Sequence, residues 1–304
     1  MSKAVLEDTT RCLGCRSCQV ACKQANDLPA ERTHLEKRRL GFQNPAALSA
    51  RTFTVVTNHE VEDPRAPAGL RWVFAKRSCM HCLDPACVSA CPVTALHKEA
   101  DGPVTYDSAK CLGCRYCVWA CPFGAPTAEW DSLAPRIRKC TLCFDRLREA
   151  AAPAELNGKA VPPEAQARMA DAQAKPACVA ACPTGALMFG ERDALLAEAH
   201  RRIAGHPERY VPHVYGEKEA GGTSLLYLAA VPFDRIGFRT DLGERSVTVH
   251  SVPAMSAVPP AVIAAGGLLA GIYFLSRRRA EVQARQASPA KDASPAAAPP
   301  DRKE

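Results

Sequence analysis

The chain has 304 residues, of which 47% are apolar and only 6% aromatic, with 25 prolines and 16 cysteines. That is room for one large domain or two small ones, in a loop-rich fold held by something other than a large aromatic core. The formal charge of +7 would suit nucleic acid or an acidic membrane surface. Thiolates gathered on metal carry negative charge, however, so the basic excess is expected to balance them and no nucleic-acid partner is expected.

Met1 to Arg11 is polar and runs straight into the first cysteine, without the basic start and apolar stretch of an export signal. The first cysteine group is Cys12, Cys15, Cys18 and Cys22, spaced C-x2-C-x2-C-x3-C. Between it and Cys79, RTFTVV (Arg51 to Val56) and LRWVFAK (Leu70 to Lys76) read as strands. The second group is Cys79, Cys82, Cys87 and Cys91, spaced C-x2-C-x4-C-x3-C. A turn at Gly102 and Pro103 and a short strand, Val104 to Tyr106, lead to the third group. This is Cys111, Cys114, Cys117 and Cys121, spaced like the first. The fourth group, Cys140, Cys143, Cys178 and Cys182, has its middle gap stretched to 34 residues. Arg148 to Lys175 reads as a surface loop with a helical piece from about Pro163 to Ala174. Glu191 to Ile203 has helical periodicity, and Thr223 to Ala230 reads as a strand.

Ser246 to Ser276 holds no Asp, Glu, Lys or Arg. Pro259 and Pro260 suit the first turn of a helix. The 18 residues from Pro259 to Ser276 would rise about 27 Å, just enough to span a bilayer. Arg277, Arg278 and Arg279 close the segment. The Ala/Pro/charged remainder is expected to be disordered.

The cysteine groups form an internal repeat. LEDTTRCLGCRSCQVAC (Leu6 to Cys22) resembles VTYDSAKCLGCRYCVWAC (Val104 to Cys121), and each has an Asp (Asp8, Asp107) four residues before its first cysteine. Cys91, Cys121 and Cys182 are each followed by proline, whereas Lys23 follows Cys22. This is the pattern of [4Fe–4S] ligation: three thiolates come from one tight turn, the fourth approaches from elsewhere, and in two-cluster ferredoxins the fourth cysteine of each run serves the other cluster. Structural zinc needs no third cysteine so close and usually recruits histidine. His81 lies too close to Cys79 and Cys82 to be a natural fourth ligand. Disulfides do not readily close between cysteines two residues apart in a tight loop. Four cubanes at about −2 each would bring the chain from +7 to near neutrality.

The repeat sets the expected pairing. The second and third groups make a compact unit, 79–122, with one cluster on Cys79, Cys82, Cys87 and Cys121 and another on Cys111, Cys114, Cys117 and Cys91. The first and fourth groups make an outer unit into which it is inserted, with clusters on Cys12, Cys15, Cys18 and Cys182 and on Cys140, Cys143, Cys178 and Cys22. No catalytic constellation is evident. Trp72, Tyr116, Trp119 and Trp130 are expected to pack against clusters rather than to line electron paths. Arg16, Arg115 and Lys139 sit beside ligands, where tuning of potentials and ordinary charge balance explain them equally well.

These motifs resemble the iron–sulfur (β) subunits of molybdopterin oxidoreductases, above all those of membrane-bound formate dehydrogenases, from about Met1 to Arg279. The most specific pieces are SCMHCLDPACVSACP (Ser78 to Pro92), KCTLCFDRL (Lys139 to Leu147), PACVAACPTGALMFG (Pro176 to Gly190) and GGTSLLYL (Gly221 to Leu228). The four-cluster subunit of membrane-bound hydrogenases is similar too. The resemblance implies a catalytic partner holding a molybdenum or tungsten pterin, a cytochrome b subunit passing electrons to quinone, and no catalysis by this chain. Nitrate-reductase relatives have tryptophan for one cysteine of the third group, whereas Cys114 is intact here. The long Cys143–Cys178 loop departs from the formate dehydrogenase pattern.

The expected architecture is therefore α+β. A four-cluster domain of two ferredoxin-like two-cluster units spans 1–205, an extension and linker 206–252, a single transmembrane helix 253–276 and a disordered tail 277–304. Gly267 and Gly271 give the helix a small-residue face for close packing on the cytochrome subunit. The three arginines place the C-terminus in the cytoplasm, with the helix in the lipid of the inner membrane and the cluster domain on the periplasmic side. Such a domain would be exported folded, with a partner bearing a twin-arginine signal.

Overall fold

The computed structural model describes residues 2–33, 43–66, 68–148, 155–156 and 159–287. The chain divides after Val252 into two units. The first is mixed. In chain order it has β1 (Lys3–Asp8), α1 (Ser17–Ala25), β2 (Val55–Glu62), β3 (Leu70–Arg77), α2 (Ala86–Ser89), β4 (Leu96–Lys98) and β5 (Val104–Tyr106). Next come α3 (Tyr116–Ala120), β6 (Thr127–Ala128), β7 (Ile137–Arg138), α4 (Phe144–Arg148), β8 (Glu155–Leu156), β9 (Lys159–Ala160) and α5 (Pro163–Gln173). Then follow α6 (Ala177–Ala180), β10 (Leu187–Glu191), α7 (Arg192–Gly205) and β11 (Leu225–Leu228), before the long α8 (Thr248–Ala287).

The central sheet has the order β10-β1-β11, and the N-terminal strand lies in its middle. Leu6 pairs antiparallel with Met188 and parallel with Leu226. Side chains alternate across a strand, so β1 serves two cores. Ala4 and Leu6 pack with Leu195 and Ala199 of α7. Val5 faces Val73, Ala75, Met80, Cys178 and Tyr227 on the cluster side. A sheet buried on both faces needs apolar residues at successive positions, and all four residues of β11 are buried. A separate core of Cys87, Leu96, Val104, Cys117, Ala128 and Ile137 closes the region of the second and third cysteine groups.

Several elements differ from the sequence reading. The strand expected from Arg51 begins only at Val55 and runs on to Glu62, paired along its whole length with β3. The segment before it is an irregular turn with a bridge between Ser49 and Thr52. The Arg148–Lys175 region carries the hairpin β8–β9 as well as the expected helix. Asp8 and Asp107 take up the same local form: each carboxylate accepts an N–H two residues on, from Thr10 at 3.0 Å and from Ala109 at 2.9 Å, the turn that aspartate favours.

In the second unit, α8 is one helix with Pro253, Pro259 and Pro260 in its interior. The two later prolines therefore do not start it. Interior proline deletes a backbone hydrogen bond, and spanning helices tolerate it. The helix continues through Arg277–Arg279 to Ala287, into the stretch expected to be disordered, and 288–304 lies outside the described residues. Ser256–Ala287 is long and apolar enough to cross a membrane. Val262, Ile263, Leu268, Leu269, Tyr273 and Phe274 are all exposed, and a helix apolar all round is one that spans a membrane or lies inside a core.

Candidate cluster-binding site

All sixteen cysteines are free thiols. The loops that carry them turn through left-handed backbone. Gly14 and Arg16 in the first group have φ of 67° and 62°, and Gly113 and Arg115 in the third have 71° and 64°. A Cβ on Gly14 would lie 2.6 Å from the Phe74 ring, and one on Gly113 would lie 2.6 Å from the Pro135 carbonyl oxygen. Both positions therefore need glycine for conformation and for space. His81 in the second group and Leu142 in the fourth take the same hand. Turns of this kind aim successive N–H groups into one concavity suited to an anion. Some already reach sulfur: Ala95 donates to Cys91 Sγ at 3.2 Å, Leu142 to Cys140 Sγ at 3.3 Å and Gly113 to Cys111 Sγ at 3.4 Å.

Burial pushes most of these thiols up, and like charge from particular other cysteines adds to it. Cys12 is raised to about 12 by burial and Glu7, with Cys182 and Cys15 contributing. Cys18 is raised by burial, with Cys178 and Cys12 beside it. Burial and Cys178 raise Cys22, and burial with Cys178 and Cys22 takes Cys143 to about 11. Cys140 is raised by burial, then by Cys22, Cys79 and Cys143. For Cys82 the companions are Cys79, Cys121 and Cys87. For Cys117, raised to about 12 by burial, they are Cys91, Cys114 and Cys111. Like charge thus links Cys12 with Cys15, Cys18 and Cys182, Cys143 with Cys22, Cys140 and Cys178, Cys82 with Cys79, Cys87 and Cys121, and Cys117 with Cys91, Cys111 and Cys114. Like charge also reaches from Cys178 to Cys18, from Cys79 to Cys140 and from Cys117 to Cys87.

The donor set fits iron–sulfur cores. Among the described residues no three His, Cys, Asp or Glu side chains close on the volume of a single ion, whereas a cubane is held at separate corners by thiolates alone. Buried polar groups also lack protein partners, an arrangement that natural cores rarely leave unexplained. His81 is fully buried, and its Nδ1 accepts the Val104 N–H at 2.9 Å while Nε2 has no partner. Asn58, on β2, has neither end of its amide paired.

Sequence reasoning singled out Lys139 beside its ligand but missed Lys76, Lys98 and Glu7. Lys139 is buried and donates to the carbonyls of Val104 and Cys140. Lys98 donates to the Cys82 carbonyl at 2.8 Å. Lys76 and Glu7 are buried too, and Glu7 accepts the Lys76 N–H at 2.6 Å. Trp72, Tyr116, Trp119 and Trp130 are exposed on the chain's surface, and the Arg115 guanidinium lies 4.3 Å from the Trp130 ring centre.

Burial lifts Glu7 from 4.5 to about 7, partly opposed by Lys76. The native state therefore holds more protons than the unfolded chain between those values, so stability falls as pH rises through that window and stays lower above it. The shift corresponds to about 3 kcal/mol. Glu7→Gln keeps an acceptor for the Lys76 N–H and is expected to flatten this slope and to raise the unfolding temperature at pH 8, as thermal scans against pH would read. An unchanged slope would remove Glu7 from the account.

Residues 70–161 match the family described as 4Fe-4S dicluster domain. A protein of Nitratidesulfovibrio vulgaris is 40% identical over 286 residues, covering 94% of this chain and 70% of its own. The hydrogenase-2 operon protein HybA of Shigella flexneri is 33% identical over 308 residues, covering 91% of this chain and 84% of its own. The nitrate-inducible formate dehydrogenase iron-sulfur subunit of the same organism is 37% identical over 229 residues, covering 74% and 67%.

Proposed function

Since the chain belongs to the iron–sulfur (β) subunits of the molybdopterin oxidoreductases, we propose that it carries four [4Fe–4S] clusters as a linear wire between a catalytic pterin subunit and a membrane cytochrome b. What supports this reading is the run of like-charge influences that passes from one cysteine group to the next. Cys12, Cys15, Cys18 and Cys182 hold the first cluster, and Cys140, Cys143, Cys178 and Cys22 the second. Cys79, Cys82, Cys87 and Cys121 hold the third, and Cys111, Cys114, Cys117 and Cys91 the last. When bound, the clusters supply one-electron steps. The chain's own residues hold them in order, shield the inner ones from water and set the charge around them.

The direction of the wire is supported by where the chain leaves the domain. Asp84, in the loop between Cys82 and Cys87, accepts a hydrogen bond from Ser246 Oγ at 2.6 Å and another from Thr248 Oγ1, at the start of α8. The loop of the second cysteine group is thus tied to the first residues of α8. The exposed apolar residues Leu112, Tyr116 and Trp119 surround the last group and suit a membrane partner there. Leu13 and Val20 form a smaller exposed pair at the first group, where the catalytic subunit would deliver electrons. The two units would be ferredoxin-like, one inserted in the other, with α8 spanning the inner membrane in lipid, the C-terminus cytoplasmic and the clusters periplasmic.

Formate is the favoured donor. Hydrogen is the second reading, supported by the hydrogenase-2 relative, whose match covers more of this chain than the formate dehydrogenase match does. Purification of the detergent-solubilised complex decides between them. About sixteen irons per chain with molybdenum or tungsten in the partner are expected, nickel would transfer the chain to a hydrogenase, and an iron-free chain would end the proposal.

A further inference from the structure

Lys76 is one of the least exposed charges in the protein, with 4% of its surface accessible. It sits on β3, opposite Val56 of β2. Its backbone is pinned on both sides: the N–H donates to Glu7 and the carbonyl accepts the Tyr227 hydroxyl at 3.0 Å. The ammonium donates to one group, the neutral hydroxyl of Ser78, at 2.8 Å. No carboxylate among the described residues pairs with it, and Glu7 acts on it less than Cys178, Tyr227 and Cys140 do. Removing such a cation from water without a counter-ion is strongly unfavourable. The fold has nevertheless placed it there and fixed it.

The missing negative charge is on the cysteines. Val56, opposite Lys76, donates its N–H at 3.3 Å to Gln19 Oε1 on α1, between Cys18 and Cys22, and Val73 and Ala75 of β3 share a core with Cys178, with Cys18 packed against it. From this position the ammonium favours the charged form of Cys18, Cys22 and Cys140, and Cys178 and Cys140 in turn favour its own charge. These four belong to two different thiol sets, so the ammonium serves both at once. We propose that Lys76 is the shared counter-ion of the two clusters of the outer unit, and that its charge raises both of their reduction potentials. This rests on the proposed ligation of those clusters. Reduction adds one electron and breaks no bond, so the reduced cluster is more negative by one charge. A fixed cation in a medium of low dielectric stabilises that state more than the oxidised one. Lys98 acts on Cys82 and Cys79, and Lys139 on Cys87. The inner unit therefore has its own cations and provides an internal control.

The test is a potentiometric titration followed by electron paramagnetic resonance on the purified complex, with Lys76→Met and Lys76→Arg. Outer-unit signals are assigned by their loss in Cys12→Ser and Cys140→Ser. Lys76→Met is expected to lower both outer-unit potentials and leave those of the inner unit in place, while Lys76→Arg stays close to the parent. Unmoved potentials in Lys76→Met, movement of only one cluster, or an equal shift in Lys76→Arg would overturn the assignment. Should Lys76→Met fail to load the outer unit, Lys76→Arg decides: full loading with parental potentials supports a charge requirement, and loss there too shows that packing alone is at stake. Fewer than four reducible clusters in the parent complex would sink the ligation scheme itself, separately from Lys76.

Discussion

Replacing Cys114 by serine is expected to cut quinone reduction by at least the roughly 10- to 100-fold that loss of even an outer-layer group costs a metal site. Dye reduction by the catalytic partner should stay near the parental rate. Cys114 is an exposed thiol in the last set, beside Cys117. Serine removes the soft ligand with little change in volume, so the fold around Leu96, Val104 and Ile137 keeps its packing. The damage should be confined to the far end of the wire, beyond the point where an added dye takes electrons. The two rates, measured on one preparation, separate an interrupted wire from a misfolded subunit. Equal loss of both would point to misfolding, and unchanged quinone reduction would remove the last cluster from the path.

The second large effect concerns α8. Leu268 and Leu269 lie midway along its apolar stretch and are both exposed. Arginine at the centre of a spanning helix costs about 2.5–3.5 kcal/mol per residue, so Leu268→Arg combined with Leu269→Arg should disfavour insertion by about 5–7 kcal/mol. At 1.4 kcal/mol per tenfold, that is about four orders of magnitude or more. The full-length double variant should leave alkaline-washed membranes for the soluble fraction with its iron content intact. Its retention in washed membranes would show that α8 is not the anchor.

The cysteine groups could be read in the sequence because a cluster's first three ligands must share a tight turn, which writes a short local pattern. β3 and β5 were legible for a similar reason: Leu70–Lys76 and Val104–Tyr106 carry their strand character within a few residues. β1 was not. Lys3–Asp8 ends in two acids and looks like a polar lead-in, yet Glu7 and Asp8 are both buried. Asp8 is satisfied by Arg202 at 2.9 Å and by Tyr210 at 2.8 Å, partners about two hundred residues away that no local pattern announces. The extent of β2 was misjudged because its last six residues, Thr57–Glu62, are mostly polar, and pairing with β3 supplies what propensity does not. Lys76 was hidden in another way: a lysine in a strand reads as surface, and only the thiols arriving from both ends of the domain give it a reason to be inside.

The parallel partnership of β1 with β11 has a consequence for biosynthesis. Val5 finds Leu225 only after the intervening two hundred and more residues have been made, a wait of roughly 10–40 s at ordinary elongation speeds. Residues 79–121 can meanwhile close around their own thiols, since all eight are spaced within that stretch. Maturation should therefore run from the inside outward. The earliest cysteines to emerge from the ribosome, Cys12 to Cys22, would be the last to find their metal.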